Sequence, residues 1–165
     1  MFRNVTKLTI DIDQEWSLEC IQHLSTILDL SKLDKLVLNP DLNPKLIHQT
    51  TENINILLSL TYNLNSLSIH PYSSFSNSAP IMTNICAIIP HHIKYLEITI
   101  KDLETMKMIL DHHKHLWSLT LLAFSDQSLP WSEFITELIN RKKDFVYWES
   151  YYSLRIWLDQ TNNEL

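Results

Sequence analysis

The chain has 165 residues, 45% of them hydrophobic, which suits one domain (1–165) whose core hides roughly two-thirds of the unfolded surface. It contains no glycine, and this excludes the P-loop, the dinucleotide G-x-G-x-x-G turn, the protein-kinase lid and the G-x-S-x-G nucleophile elbow, each of which needs glycine where backbone nears a ligand or takes positive φ. The net charge of −6 repels polyphosphates, and Arg141-Lys142-Lys143 is the one basic cluster, so nucleic acid is not an expected partner.

In chain order, one apolar-x-x-apolar-x-apolar pattern recurs six times: Val5–Ile10, Leu33–Leu38, Leu64–Ile69, Ile93–Ile98, Leu116–Leu121 and Tyr151–Ile156. The starts are 28, 31, 29, 23 and 35 residues apart, a period that suits a strand, a turn, a helix and a return. Between the patterns, apolar residues fall at helical spacing. The first stripe is Leu18, Ile21, Leu24, Ile27 and Leu28, and the second is Ile54, Leu57 and Leu58 with Leu60 beside them. The third, Ile81, Ile85, Ile88 and Ile89, follows Pro80, which a first helical turn accepts without loss of a hydrogen bond. Leu103, Met106, Ile109 and Leu110 form the fourth; Phe134, Ile135, Leu138 and Ile139 form the fifth, with Pro130 before it and Ser132 as the expected N-cap.

Alternating strands and helices fit either a doubly wound sheet or a single-sided stack. Strands of a doubly wound sheet read as unbroken Val/Ile/Leu runs. Here Thr9, Ser68, Glu97, Thr120 and Arg155 stand between the apolar positions, which fits strands with one face on a core and the other in water. The expected architecture is therefore an α/β solenoid with about six parallel strands on the concave side and helices on the convex side.

The six L-x-x-L-x-L segments resemble the leucine-rich-repeat family, in its helix-containing class of ribonuclease inhibitors and F-box/leucine-rich-repeat proteins. The resemblance covers residues 2 to 158. It implies a partial horseshoe and a noncatalytic scaffold that binds a protein on its concave face. The F-box likeness implies substrate recognition in a ubiquitin ligase adaptor, without the F-box itself, although Leu129-Pro130-Trp131-Ser132-Glu133 is faintly similar to an F-box opening. Two other readings stand beside it: an enzyme inhibitor of the ribonuclease-inhibitor type, and an enzyme on a doubly wound sheet.

In such a fold the residues between the leucines line columns on the concave surface. One column reads Lys7, Lys35, Ser66, Tyr95, Ser118, Ser153; the next Thr9, Val37, Ser68, Glu97, Thr120, Arg155; a third Asp11, Asn39, His70, Thr99, Leu122, Trp157. Aromatic side chains with a nearby arginine are typical interface hot spots. The expected partner-binding residues are Tyr95, Glu97, Trp117, Thr120, Leu122, Tyr152, Arg155 and Trp157, with Trp157 also suited to capping the stack.

Other constellations read as structural. His91-His92 and His112-His113-Lys114-His115 suit solvated turns better than a metal site, His112 and His113 also matching a helix C-terminus when protonated. Cys20 and His23 are three apart on a helix, but Cys20 reads as a core thiol without a third orienting group. Asp11-Ile12-Asp13 and the serine-rich stretch from His70 to Pro80 read as turns. No cofactor or metal is expected. Two widely spaced cysteines, the lack of an N-terminal apolar segment and the lack of an 18-residue apolar run suggest reduced thiols and a cytoplasmic or nuclear location away from membranes. Phe2 and Val5 border an apolar edge suited to another subunit or to further repeats.

Overall fold

The computed structural model describes residues 2, 4–12, 16–41, 47–71, 79–124, 129–141 and 144–158. Asp13, Lys142, Lys143 and most of the serine-rich stretch, 72–78, lie outside the described residues. In chain order the elements are β1 (Lys7–Ile12), α1 (Leu18–Ile27), β2 (Lys35–Pro40), α2 (Ile47–Leu60), β3 (Ser66–Ile69), α3 (Ala79–Ile88), β4 (Tyr95–Ile100), α4 (Leu103–His112), β5 (Ser118–Ala123), α5 (Trp131–Asn140), β6 (Phe145–Glu149) and β7 (Ser153–Leu158).

All seven strands join one sheet in the order β1-β2-β3-β4-β5-β7-β6. From β1 to β5 every pairing is parallel and in step, so Leu8, Leu36, Leu67, Leu96 and Leu119 form one row and Ile10, Leu38, Ile69, Ile98 and Leu121 the next. The order never reverses over these strands, so they contain no switch point of the kind at which doubly wound enzymes bind ligands. A right-handed crossover repeated in one direction puts successive helices on one face. They pack side by side, α1 on α2, α2 on α3, α3 on α4 and α4 on α5.

The core lies between that helix layer and the inward rows. Leu36, Leu38, Leu67, Ile69, Leu96, Ile98, Leu119 and Leu121 are buried against Ile21, Ile54, Leu57, Ile85, Met106, Ile109 and Phe134. Helices α1, α2 and α5 leave the ends of their expected stripes in solvent, at Leu18, Ile27, Leu60 and Ile139, whereas α4 buries Met106, Ile109 and Leu110. Ile81 has no described side chain.

The repeat is also written in the backbone. Before each of β2 to β5 the chain makes the same turn, with the amides of Leu33, Leu64, Ile93 and Leu116 donating to the carbonyls of Leu30, Thr61, Pro90 and His113. Just ahead of each strand one carbonyl accepts two amides from the following unit: Thr6 from Asp34 and Lys35, Asp34 from Asn65 and Ser66, Asn65 from Lys94 and Tyr95, Lys94 from Trp117 and Ser118. Asparagine amides add cross-links between units, Asn39 to Asp11 at 2.7 Å, Asn65 to Asp34 at 2.8 Å and Asn63 to the Ser31 carbonyl at 2.7 Å. Unit length therefore varies elsewhere. The 23-residue step is short because β4 reaches α4 through Lys101 and Asp102 alone, and Asp102 Oδ1 caps that helix by accepting from the Thr105 amide and hydroxyl.

Four expectations are corrected. The sixth ribbon is antiparallel, not parallel: β7 pairs antiparallel with β5, and β6, absent from the sequence reading, pairs antiparallel with β7 at the sheet's edge. The 35-residue final step contains this extra strand, and a hairpin reverses the chain without a helix. Ser132 does not cap α5, because the helix already begins at Trp131; its Pro130 cap makes no side-chain bond. Cys20 is exposed, with Ser17 Oγ 3.6 Å from its sulfur, whereas Cys86 is the core thiol, pushed by burial up to about 12. His113 is buried, not solvated: its Nε2 lies 3.1 Å from the Cys86 carbonyl, and desolvation holds its pKa below the usual 6.5. His112 is exposed, and its Nδ1 lies 2.9 Å from the Met108 carbonyl in the last turn of α4.

Candidate functional site

The outward rows of the sheet carry the polar and aromatic residues. Lys7, Lys35, Ser66, Tyr95 and Ser118 stand side by side, and the antiparallel return places Trp157 next to Ser118 and Val146 next to Trp157. The second row runs Thr9, Val37, Ser68, Glu97, Thr120, Arg155, Trp148. Thr120 and Arg155 face each other in either strand direction, but reversal exchanges the two ends of β7. Trp157 therefore joins the row of Tyr95, and Ser153 takes the place beside Leu122 that the sequence reading gave to Trp157.

These rows enclose an open depression of about 290 Å³, lined by Lys35, Ser66, Ser68, Tyr95, Leu96, Glu97, Ser118, Thr120, Arg155 and Trp157. Five expected partner residues converge on it: Tyr95, Glu97, Thr120, Arg155 and Trp157. Trp117 adjoins rather than lines it, with its ring edge-on to Tyr95 at 6.2 Å and the Lys94 ammonium 4.6 Å from the ring centroid. Leu122 and Tyr152 do not line it; Tyr152 packs against Tyr151 in the β6–β7 turn.

Exposure sorts the residues by role. Tyr95, Trp117 and Trp157 remain 45%, 46% and 43% exposed, a large share for side chains that fold into cores where space allows. Thr120 is buried on the floor of the cleft, and its hydroxyl accepts from Arg155 Nε at 3.3 Å and so positions the guanidinium. The Arg155 guanidinium also lies over the Trp157 ring at 5.9 Å.

Glu97 is the electrostatic centre. His70 Nε2 lies 2.9 Å from Glu97 Oε1, and this hydrogen bond is the main reason its pKa falls below 4.5. Partial burial opposes the fall, while the charges of His70, Lys35 and Arg155 add to it. His70 was read as a column residue, but its pairing across units was invisible because the partners are 27 positions apart. Lys35 was also read as a column residue and not as a site; only the cleft geometry puts it with Arg155.

Beyond the cleft, β6 exposes Val146, Tyr147 and Trp148. Among the described residues no group of three or more His, Cys, Asp or Glu could hold a metal ion, and no helix is long and apolar enough to cross a membrane.

No protein-family model matches the chain, and no curated protein does. Among solved structures it is similar to the leucine-rich-repeat-containing protein LegL7 from Legionella pneumophila, with a TM-score of 0.48 and 18% sequence identity over 71% of this chain. The chain spans 38% of that protein's length.

Proposed function

We propose that the chain is a leucine-rich-repeat-like solenoid that works as a noncatalytic interaction scaffold, holding a protein partner on the open face of its sheet. One observation carries the reading: the exposed rings of Tyr95, Trp117 and Trp157 and a positioned arginine gather at one end of the open face, next to Val146 and Trp148 of β6, whereas the outward residues of β1 to β3 are polar apart from Val37. Such rings bury large area at low entropic cost, and hot spots of this composition dominate protein interfaces. The repeated backbone turn and the unbroken row of inward leucines support the solenoid reading. Within it, the role that fits best is recognition of a target protein for a multi-subunit assembly such as an F-box-type ubiquitin ligase. Phe2, 67% exposed and bridged to Leu28, offers an apolar edge for a neighbouring unit or subunit.

The test is capture of partners by the chain and by a Tyr95→Ala/Trp117→Ala double variant, with mass spectrometry of what is retained. Partners that bind the parent chain are expected to lose at least about 30-fold in affinity, equivalent to about 2 kcal/mol, while far-UV circular dichroism stays unchanged. Undiminished capture by the folded variant would move the site off this face.

A further inference from the structure

The reading of the open face as a partner surface is the base for a more specific assignment. We infer that the cleft receives an extended acidic peptide segment of the partner, with two carboxylates about six residues apart on Lys35 and Arg155 and a donor side chain between them at Glu97.

The cleft's shape comes first. At about 290 Å³ and open to solvent, it falls at the lower limit of small-molecule pockets and cannot enclose a drug-sized ligand. It can take side chains dropped from a chain lying across it. Its lining residues come from β2, β3, β4, β5 and β7, so it crosses the strands rather than following one. Four strand spacings separate Lys35 from Arg155, about 19 Å at roughly 4.8 Å each. An extended chain advances about 3.3 Å per residue and shows the same face every second residue, so the two ends match side chains at positions i and i+6. Glu97, on β4, falls midway, about 10 Å from each end and between the i+2 and i+4 positions that face the sheet, so a long donor side chain at either position reaches it.

The charges point the same way. The whole chain carries −6, yet the charged residues lining the cleft are Lys35, Glu97 and Arg155, a net of +1, with Lys7 next to Lys35 in the same row. Thr120 holds Arg155 through Nε, and its two terminal nitrogens have no acceptor among the described residues, which leaves a planar fork suited to a carboxylate. The Lys35 charge acts on Glu97 without a salt bridge to it, which leaves the ammonium's donors open to a carboxylate of the peptide. His70 occupies Oε1 of Glu97, and Oε2 remains for a lysine, arginine, asparagine or glutamine of the peptide. Ser66, Ser68 and Ser118 supply hydroxyls along the floor for the peptide backbone.

The test is selection of a phage-displayed library of random nonapeptides on the purified full chain, followed by fluorescence polarisation of the synthetic consensus peptide. The expected sequences carry Asp or Glu at two positions six apart, with a donor residue two or four places after the first. Lys35→Glu and Arg155→Glu should each weaken the consensus peptide by more than about tenfold, and changing one peptide carboxylate to lysine should restore binding to the matching variant. Enriched peptides that lack the acidic pair but lose binding to Tyr95→Ala/Trp117→Ala would overturn this charge assignment and leave the open face as the partner site. No enrichment, or peptides indifferent to every substitution on this face, would overturn both.

Discussion

Leu36→Ala is expected to cost about 2–5 kcal/mol of stability, while Val37→Ala, one residue further along β2, costs less than about 1 kcal/mol. Leu36 is fully buried in the inward row, between Leu8 on β1 and Leu67 on β3, so truncation removes its transfer free energy and leaves a cavity facing the helices. Val37 points the other way, between Thr9 and Ser68, and is only half-buried. Since a domain of this size is stable by about 5–15 kcal/mol, the first substitution should shift the urea midpoint strongly and the second barely. Equal losses at both positions would mean that both faces of β2 are covered.

The second large effect is at His113. This residue links α4 to the preceding unit through the Cys86 carbonyl and is buried. His113→Ala removes that bond and leaves a void, an expected loss of about 1–3 kcal/mol. The same burial makes stability depend on pH. Desolvation is the main cause of the lowered pKa; the carbonyl bond opposes it, and the rings of His91 and His112, at 5.8 and 6.5 Å, add to it when charged. The folded chain thus keeps His113 neutral at a pH where the unfolded chain protonates it, and the unfolded state then binds more protons. The stabilising contribution is complete above about 6.5 and is lost as pH falls from there toward the folded pKa. Glu97 acts lower: its pKa is below 4.5, so its contribution is present above that value and is lost only in stronger acid. Urea midpoints measured from pH 7 to 5 should fall for the parent chain and fall less for His113→Ala. Equal slopes would show that His113 is not the group responsible.

The alternation of leucines with small polar residues was enough to read five strands, their inward face and the helix between each pair. It works because side-chain alternation reports which face a residue occupies. It carries no information on strand direction, and Leu154, Ile156 and Leu158 alternate identically whichever way β7 runs. The hairpin did leave a local signal: Phe145-Val146-Tyr147-Trp148 is rich in strand-forming residues and is followed closely by another such run, with no room for a helix between them. Overlooking it placed Trp157 in the wrong row. The site was legible where it depends on composition, as with Tyr95, Trp117 and Arg155. Glu97 and Thr120 were legible as residues of the face, but not the long-range contacts they make, Glu97 with His70 and Thr120 beneath Arg155. Burial of His113 rather than its neighbours was hidden because clustered histidines at a helix end differ only in the direction each ring takes.

The open face itself can be probed directly by the rate at which maleimide modifies single cysteines in the folded chain, in a Cys20→Ser background. Lys35→Cys, Val37→Cys, Glu97→Cys and Arg155→Cys are expected to react rapidly, while Leu36→Cys stays as protected as the native buried Cys86. Protection at all of the outward positions would mean that a second layer covers the sheet, and no partner could then bind there.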